Sequence, residues 1–167
     1  MDTGTDDLRS ARVAAPIGEL LLVASPRGLV RLHLPGWEPV VPEDPGAHCL
    51  PEAAAQVAAY LAGDLQGFSL PLDLVGSGFQ RRAWEALLQV PYAATWTYGE
   101  IATAMGEDPR TASRAVGTAM HTNPVAVVVP CHRVVGAGGA LTGYAGGLAA
   151  KRWLLDHEAR VAGITLF

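Results

Sequence analysis

Two cysteines in 167 residues, Cys49 and Cys131, are too few for a disulfide framework. The expectation is a cytoplasmic protein with reduced thiols. Neither cysteine has a second one nearby at ligand spacing, so no metal and no cofactor are expected. Charged residues are also scarce, at 17%, which excludes a disordered polyelectrolyte. No apolar run approaches the roughly 20 residues that cross a bilayer, so no membrane partner is expected. Met1–Ser10 is acidic and polar, without the basic-then-apolar order of a secretory signal. Positive charge is in deficit: the net charge is −4 and the pI about 5.7. Taken alone, that argues against holding nucleic acid by bulk charge.

What is present is apolar residue in abundance, 50% of the chain, in a length that suits one large domain or two small ones. The charge is unevenly spread. Residues 1–75 carry four Arg against ten Asp or Glu, net −6; residues 76–167 carry one Lys and seven Arg against six acids, net +2. Two domains are expected, 1–75 and 76–167, joined by the extended, Gly-containing segment Leu65–Ser77, and the charge asymmetry runs between them. That asymmetry is either a hint of an anionic partner for the second half or ordinary scatter of surface charge.

In the first half, Arg12–Ala15, Leu20–Ala24 and Leu29–Leu34 are short and apolar, punctuated by Pro16-Ile17-Gly18 and Pro26-Arg27-Gly28. They predict an antiparallel meander. Pro35–His48, with four prolines, predicts a surface loop. Pro51–Leu61 opens with Pro and ends before Gly63, which predicts a helix. His48 and Cys49 are taken as structural or incidental.

The second half predicts helices. Phe79–Val90 places Phe79, Ala83 and Leu87 on one stripe with Trp84 and Leu88 beside it, and Pro91 stops it. Tyr98–Met105 is a short helix with Ile101, Ala102 and Met105 inward. Gly106 follows as a C-cap, then Asp108 and Pro109 as N-cap and first residue of a helix running to about Met120. Two short helices joined by a Gly-containing turn form a helix-turn-helix pattern, which many proteins carry without touching DNA. Thr111–Ala119 is almost entirely small, with Arg114 alone projecting far. Close packing on a neighbouring helix explains this, and so does a helix lying against a nucleic-acid groove.

Val125–Val129 is β-branched and predicts a buried strand or extended segment. It leads into Pro130-Cys131-His132-Arg133-Val134-Val135. A cysteine beside His and Arg is in surroundings that lower a thiol pKa. It is equally a small buried hydrophobe.

Pro130-Cys131-His132-Arg133-Val134 resembles the active-site motif of O6-alkylguanine-DNA alkyltransferases, the methylated-DNA–protein-cysteine methyltransferases. Further landmarks follow in family order: Phe79-Gln80…Trp84, Pro91-Tyr92, Thr97-Tyr98-Gly99, Arg114-Ala115-Val116-Gly117 and Asn123-Pro124. Gly143-Tyr144-Ala145-Gly146-Gly147 and Lys151…Leu154-Leu155…Glu158 complete the set. The likeness is strong over residues 75–160. Ala93 stands where the family often has Gly, and Ala126 where some members have Pro.

The resemblance implies an α+β fold: an N-terminal antiparallel sheet with a helix, ribonuclease H-like, then a mostly helical DNA-binding domain. It implies a single-turnover reaction in which a flipped O6-alkylguanine, or O4-alkylthymine, gives its alkyl group to a cysteine. By resemblance Cys131 is the nucleophile, His132 takes its proton through a water, and Glu158 orients and polarises His132. Asn123 binds the turn between the recognition helix and the active site. The Tyr144 hydroxyl and Ala145 N–H are donors to the leaving guanine, with Gly146 beside them. The carbonyls of Cys131 and Val134 accept from its amino group, and Met120 lines the pocket. Thr111, Ser113, Ala115 and Gly117 would lie in the minor groove of double-stranded DNA. Arg114 would fill the stack, and Tyr98 would press on the adjacent phosphate. The partner implied is duplex DNA containing O6-alkylguanine, met by a monomer, with cooperative assembly on DNA left open. Two other readings share the motif: a lesion-binding protein that rarely transfers, and a Cys–His–Glu hydrolase that turns over.

Overall fold

Leu20–Ser25 is apolar along its whole length, and every one of its residues is buried. It therefore takes the centre of a sheet covered on both faces. In the computed structural model, which describes residues 7–36 and 40–164, this strand is β2. It pairs antiparallel with β1 (Arg9–Val13) on one side and β3 (Gly28–His33) on the other, with a register shift at Val23/Ala24. The first strand lies earlier than Arg12–Ala15 because its outer edge is recruited at Ser10. Ser10 N–H donates to the Pro42 carbonyl, and Asp44 N–H donates to the Ser10 carbonyl. The proline-rich stretch is thus partly a strand partner and not only a loop; Trp37–Pro39 within it lie outside the described residues, as do Met1–Asp6 of the acidic N-terminus.

The other edge is closed the same way. Leu29 N–H donates to Pro71 O and Asp73 N–H to Leu29 O, so the extended segment after the helix lines β3. Gly28 permits that approach: a Cβ there would stand 2.6 Å from the Pro71 carbonyl oxygen, at a φ of +155°. Helix α1 (Leu50–Ala62) has Pro51 in its first turn and ends on Gly63 in the left-handed conformation. It buries Leu50, Ala53, Val57 and Tyr60. The chain divides into two compact units between Val75 and Gly76.

The second unit begins with α2 (Gly78–Leu87), capped by Ser77 and Gln80 in a reciprocal box. It buries Ala83, Trp84, Ala86 and Leu87, whereas Leu88, expected beside the stripe, is exposed. The helix stops at Leu87, three residues before the expected end, so Leu88 never joins the inner face. A second capping box, Thr97 with Glu100, starts α3 (Tyr98–Ala104). Asp108 caps α4 (Pro109–His121), with Pro109 in its first turn. The two form the helix-turn-helix, and Met105 at the C-cap of α3 is only half-buried. The last helix, α5, spans Leu148–Ala162. A parallel pair, β4 (Trp96–Thr97) with β5 (Val134–Val135), adds a strand element that the helical pattern does not announce. No helix among the described residues is long and apolar enough to cross a membrane.

Candidate active site

The site grows from the turn after α4. Val125–Val129 is buried as expected, but it is not extended. Val128 N–H donates to Ala126 O, Val129 N–H to Val125 O, and Val127 sits at φ +72°, a strained conformation for a β-branched residue. Asn123 imposes the fold of this segment. Its Nδ2 donates to Val129 O at 2.8 Å, and its Oδ1 accepts from Val125 N–H at 3.0 Å. One side chain thereby clips the end of α4 to the residues before Cys131, overriding the strand preference of the valines.

Cys131, His132 and Arg133 then form a single 3-10 turn, all buried. His132 Nε2 lies 2.7 Å from Glu158 Oε2, both side chains fully buried. Glu158, on α5, also accepts from Arg133 Nε at 2.8 Å, from Arg133 Nη2 at 2.9 Å, and from Ala93 N–H at 3.1 Å. Those donors hold its carboxyl well below the ordinary range, against the penalty of burial. His132 Nδ1 is buried without a hydrogen-bond partner among the described residues. Burial lowers the basicity of the ring, and Glu158 opposes the shift.

The thiol departs from the sequence expectation. Its neighbours in the chain suggest a lowered pKa, yet burial pushes it up to about 11. Arg133 turns to Glu158 and to the Val90 carbonyl, so its charge is spent elsewhere. A hydrogen bond from Asn123 and the charge of Lys151 only partly offset burial. At neutral pH Cys131 rests as a thiol and needs a base at the moment of attack.

Lys151, buried on α5, donates to Val134 O at 2.6 Å and to Thr142 O at 3.2 Å. The Val134 carbonyl expected to meet a substrate amino group already accepts one bond and has a second lone pair. Burial raises the Tyr144 pKa, with the charges of Cys131 and Glu158 adding, and its buried hydroxyl has no partner among the described residues. Ala145 and Gly146 lie in the turn that Gly147 N–H closes on Tyr144 O. Met120 is buried, and the Tyr98 hydroxyl pairs with Thr142 Oγ1 at 2.6 Å.

On α4, Ala112, Val116, Ala119 and Met120 face inward, and Trp84 Nε1 donates to Ala119 O at 2.9 Å. Thr111, Arg114 and Ala115 are exposed; Ser113 and Gly117 are half-buried, and a Cβ on Gly117 would stand 3.9 Å from the Tyr98 ring. The small residues thus serve packing on one face and an open surface on the other. Arg133, Lys151 and the Ala93 N–H are the members of the cluster that motif reading passed over. Ala93 itself adopts φ +61°, a conformation that glycine enters more freely than alanine. Among the described residues no group of three or more His, Cys, Asp or Glu is placed to hold a metal.

A helix-turn-helix whose second helix is clipped to a buried Cys–His–Glu cluster defines a class: helix-turn-helix proteins with a buried cysteine, histidine and glutamate behind the second helix. Comparison with known proteins gives the particular family. Residues 78–160 match the model of the 6-O-methylguanine DNA methyltransferase DNA binding domain, and residues 9–74 that of its ribonuclease-like domain. The methylated-DNA–protein-cysteine methyltransferase of Mycobacterium leprae is 44% identical over 164 residues, covering 92% of this chain and 94% of that one. That of Methanosarcina barkeri is 45% identical over 150 residues, covering 87% and 94%. The crystal structure of Mycobacterium tuberculosis OGT in complex with DNA superposes with a TM-score of 0.84 at 44% identity, covering 92% and 93%. The chain belongs to the 6-O-methylguanine DNA methyltransferase family, and its α+β fold is that of the family.

Proposed function

We propose that this protein repairs duplex DNA by direct, irreversible transfer of the alkyl group from O6 of guanine, or O4 of thymine, to Cys131, once per molecule. One observation carries the reading. A buried thiol, an imidazole with an open nitrogen and a fixed carboxylate form one cluster, clipped by Asn123 to the end of a helix-turn-helix. The relatives' names and the DNA complex of the M. tuberculosis structure support DNA as the partner.

The steps balance without a cofactor. The Cys131 proton passes to His132. Sγ attacks the alkyl carbon, the S–C bond forms and the C–O6 bond breaks. The electron pair goes to the purine, which takes up a proton as it leaves. Tyr144, with its unspent hydroxyl, and the Ala145 N–H, beside Gly146, meet the charge growing on the base. The Cys131 and Val134 carbonyls and Met120 hold its other edges. Residues 76–167 act as the DNA-binding and transfer domain, and residues 1–75 as a separate domain. The open face of α4, through Thr111, Arg114 and Ala115 with Ser113 and Gly117 behind them, enters the minor groove. Arg114 replaces the flipped base, and Tyr98 bears on the neighbouring phosphate. The protein acts as a monomer in the cytoplasm.

Intact mass after incubation with a duplex containing O6-methylguanine tests this. One methyl per molecule, mapped to Cys131 and absent in Cys131→Ser, is the expected result. Tight binding without modification would make the protein a lesion binder, and repeated product release from unmodified protein would make it a hydrolase.

A further inference from the structure

Arg133 is buried, and the transfer as proposed does not use it. Each of its three nitrogens nonetheless donates: Nε and Nη2 to the two oxygens of Glu158, and Nη1 to the Val90 carbonyl at 2.9 Å. Its guanidinium carbon lies 5.5 Å from the centre of the Tyr92 ring. A bidentate fork of this kind fixes a carboxylate in plane and in charge. The Ala93 N–H adds a third donor on Oε1. None of these donors can reverse: guanidinium stays protonated at any working pH, and an amide N–H only donates. Oε2 therefore accepts, and the hydrogen in the 2.7 Å bond to His132 sits on Nε2.

We propose that Arg133 is the positioning residue of the relay: by holding Glu158 as a permanent anion it fixes His132 as the Nε2–H tautomer, keeps the lone pair on Nδ1, and ends proton movement at His132. Nδ1 is the ring atom without a partner among the described residues, which is where a proton from Cys131 can go. The importance of that lone pair rests on the alkyl-transfer reading; the tautomer does not. Arg133 has a second consequence. Glu158 faces His132 as half of a neutral pair, not as a bare carboxylate, so it steadies the imidazolium without trapping it. The charged and titratable groups around the ring are Glu158 and Lys151 from α5 with Arg133 and Cys131 from its own turn, and Tyr144 faces Cys131 and Glu158 from the loop before α5. Burial, Arg133 and Lys151 all lower its basicity, and Glu158 alone raises it.

The test uses the full chain, labelled with ¹⁵N in its histidines, first without DNA. Wild type is expected to show His132 neutral at neutral pH with the proton on Nε2, assigned against His132→Asn. Arg133→Gln removes the charge and the fork, so the ring becomes more basic and its titration moves up. Single-turnover transfer by that variant should fall several-fold from about pH 8 to about pH 6, because a more basic ring is increasingly protonated across that window. Wild type should stay nearly flat, and Arg133→Lys, which restores the charge, should recover the wild-type profile at a lower rate. An Nδ1–H tautomer or a doubly protonated ring in wild type overturns the proposal, as does an Arg133→Gln profile that superposes on wild type. If Arg133→Gln fails to fold, the wild-type tautomer still decides. If the tautomer is as stated but Cys131 gains no methyl, the transfer reading falls and the geometry stands.

Discussion

The two units of this chain bury different things. Among the described residues up to Val75 the large fully buried side chains are Leu20, Leu22, Leu29, Leu32 and Leu50 with Tyr60, and Ser10 and Ser25 are the only buried polar residues. The unit from Gly76 onward buries an aliphatic core too, but inside it lie His132, Arg133, Lys151, His157 and Glu158. The first unit is held by area removed from water, which tolerates approximate fit. The second depends in addition on a charged cluster whose parts are each costly alone and tolerable only together. Chemistry lies where the core gives up apolar packing.

The sharpest way to break that contrast is to cut one residue from each core. Glu158→Ala leaves Arg133 buried without its partner, and a stability loss of about 3–5 kcal/mol is expected. Single-turnover transfer should collapse with it, even in the molecules that stay folded. Leu22→Ala in the centre of β2 should cost a comparable about 2–5 kcal/mol through transfer and cavity terms. Its folded molecules should alkylate at the wild-type rate. Denaturant melts paired with intact-mass kinetics measure both. Normal transfer by folded Glu158→Ala would erase the distinction between the units.

The same contrast governs what could be seen in the sequence. Strands β2 and β3 follow from local pattern because an apolar run between glycine and proline has few alternatives. Helices α1 and α4 follow from Pro51 and Gly63, and from Asp108 and Pro109, for the same local reason. β1 is shifted because its outer hydrogen bonds come from Pro42 and Asp44, more than thirty residues away. Val125–Val129 misleads because composition speaks for a strand while one neighbouring side chain, the Asn123 amide, closes a turn. In the site, Cys131, His132 and Glu158 are visible through ordered motifs. Arg133 is in the same motif, but its role exists only once Glu158 is brought beside it. The raised thiol pKa is invisible for a related reason: adjacency in sequence suggests charge near sulfur, and the side chains point elsewhere.

Acid should act on both units below pH 6.5 and on the second again below 4.5. Burial, with Arg31 nearby, lowers the His33 pKa on β3 from 6.5 to about 4. Its folded value lies below its unfolded one, so its stabilising share is whole above pH 6.5 and is lost as pH falls toward about 4. His132 has the same sign and begins to cost at the same point. Glu158 is also depressed, so its share is whole above its ordinary 4.5 and is lost only on further acidification. Amide exchange should show β2 loosening between these limits and α5 loosening further below 4.5. His33→Gln should flatten the β2 response and leave that of α5 in place. An unchanged β2 response would remove His33 from the account.

The smallest effect probes how much strain the charged cluster tolerates for its geometry. Ala93 holds φ +61° so that its N–H can reach Glu158 Oε1. A left-handed alanine costs about 1–2 kcal/mol, whereas glycine enters that region freely. Glycine also gains freedom in the unfolded chain, which returns about 0.5–1 kcal/mol of the advantage. Ala93→Gly should therefore stabilise by about 0.5 kcal/mol, and its Tm should rise slightly. Because the N–H keeps its place, the transfer rate and its pH profile should match wild type. A loss of stability would mean that the turn before β4 draws more from the Ala93 methyl than its backbone angle costs.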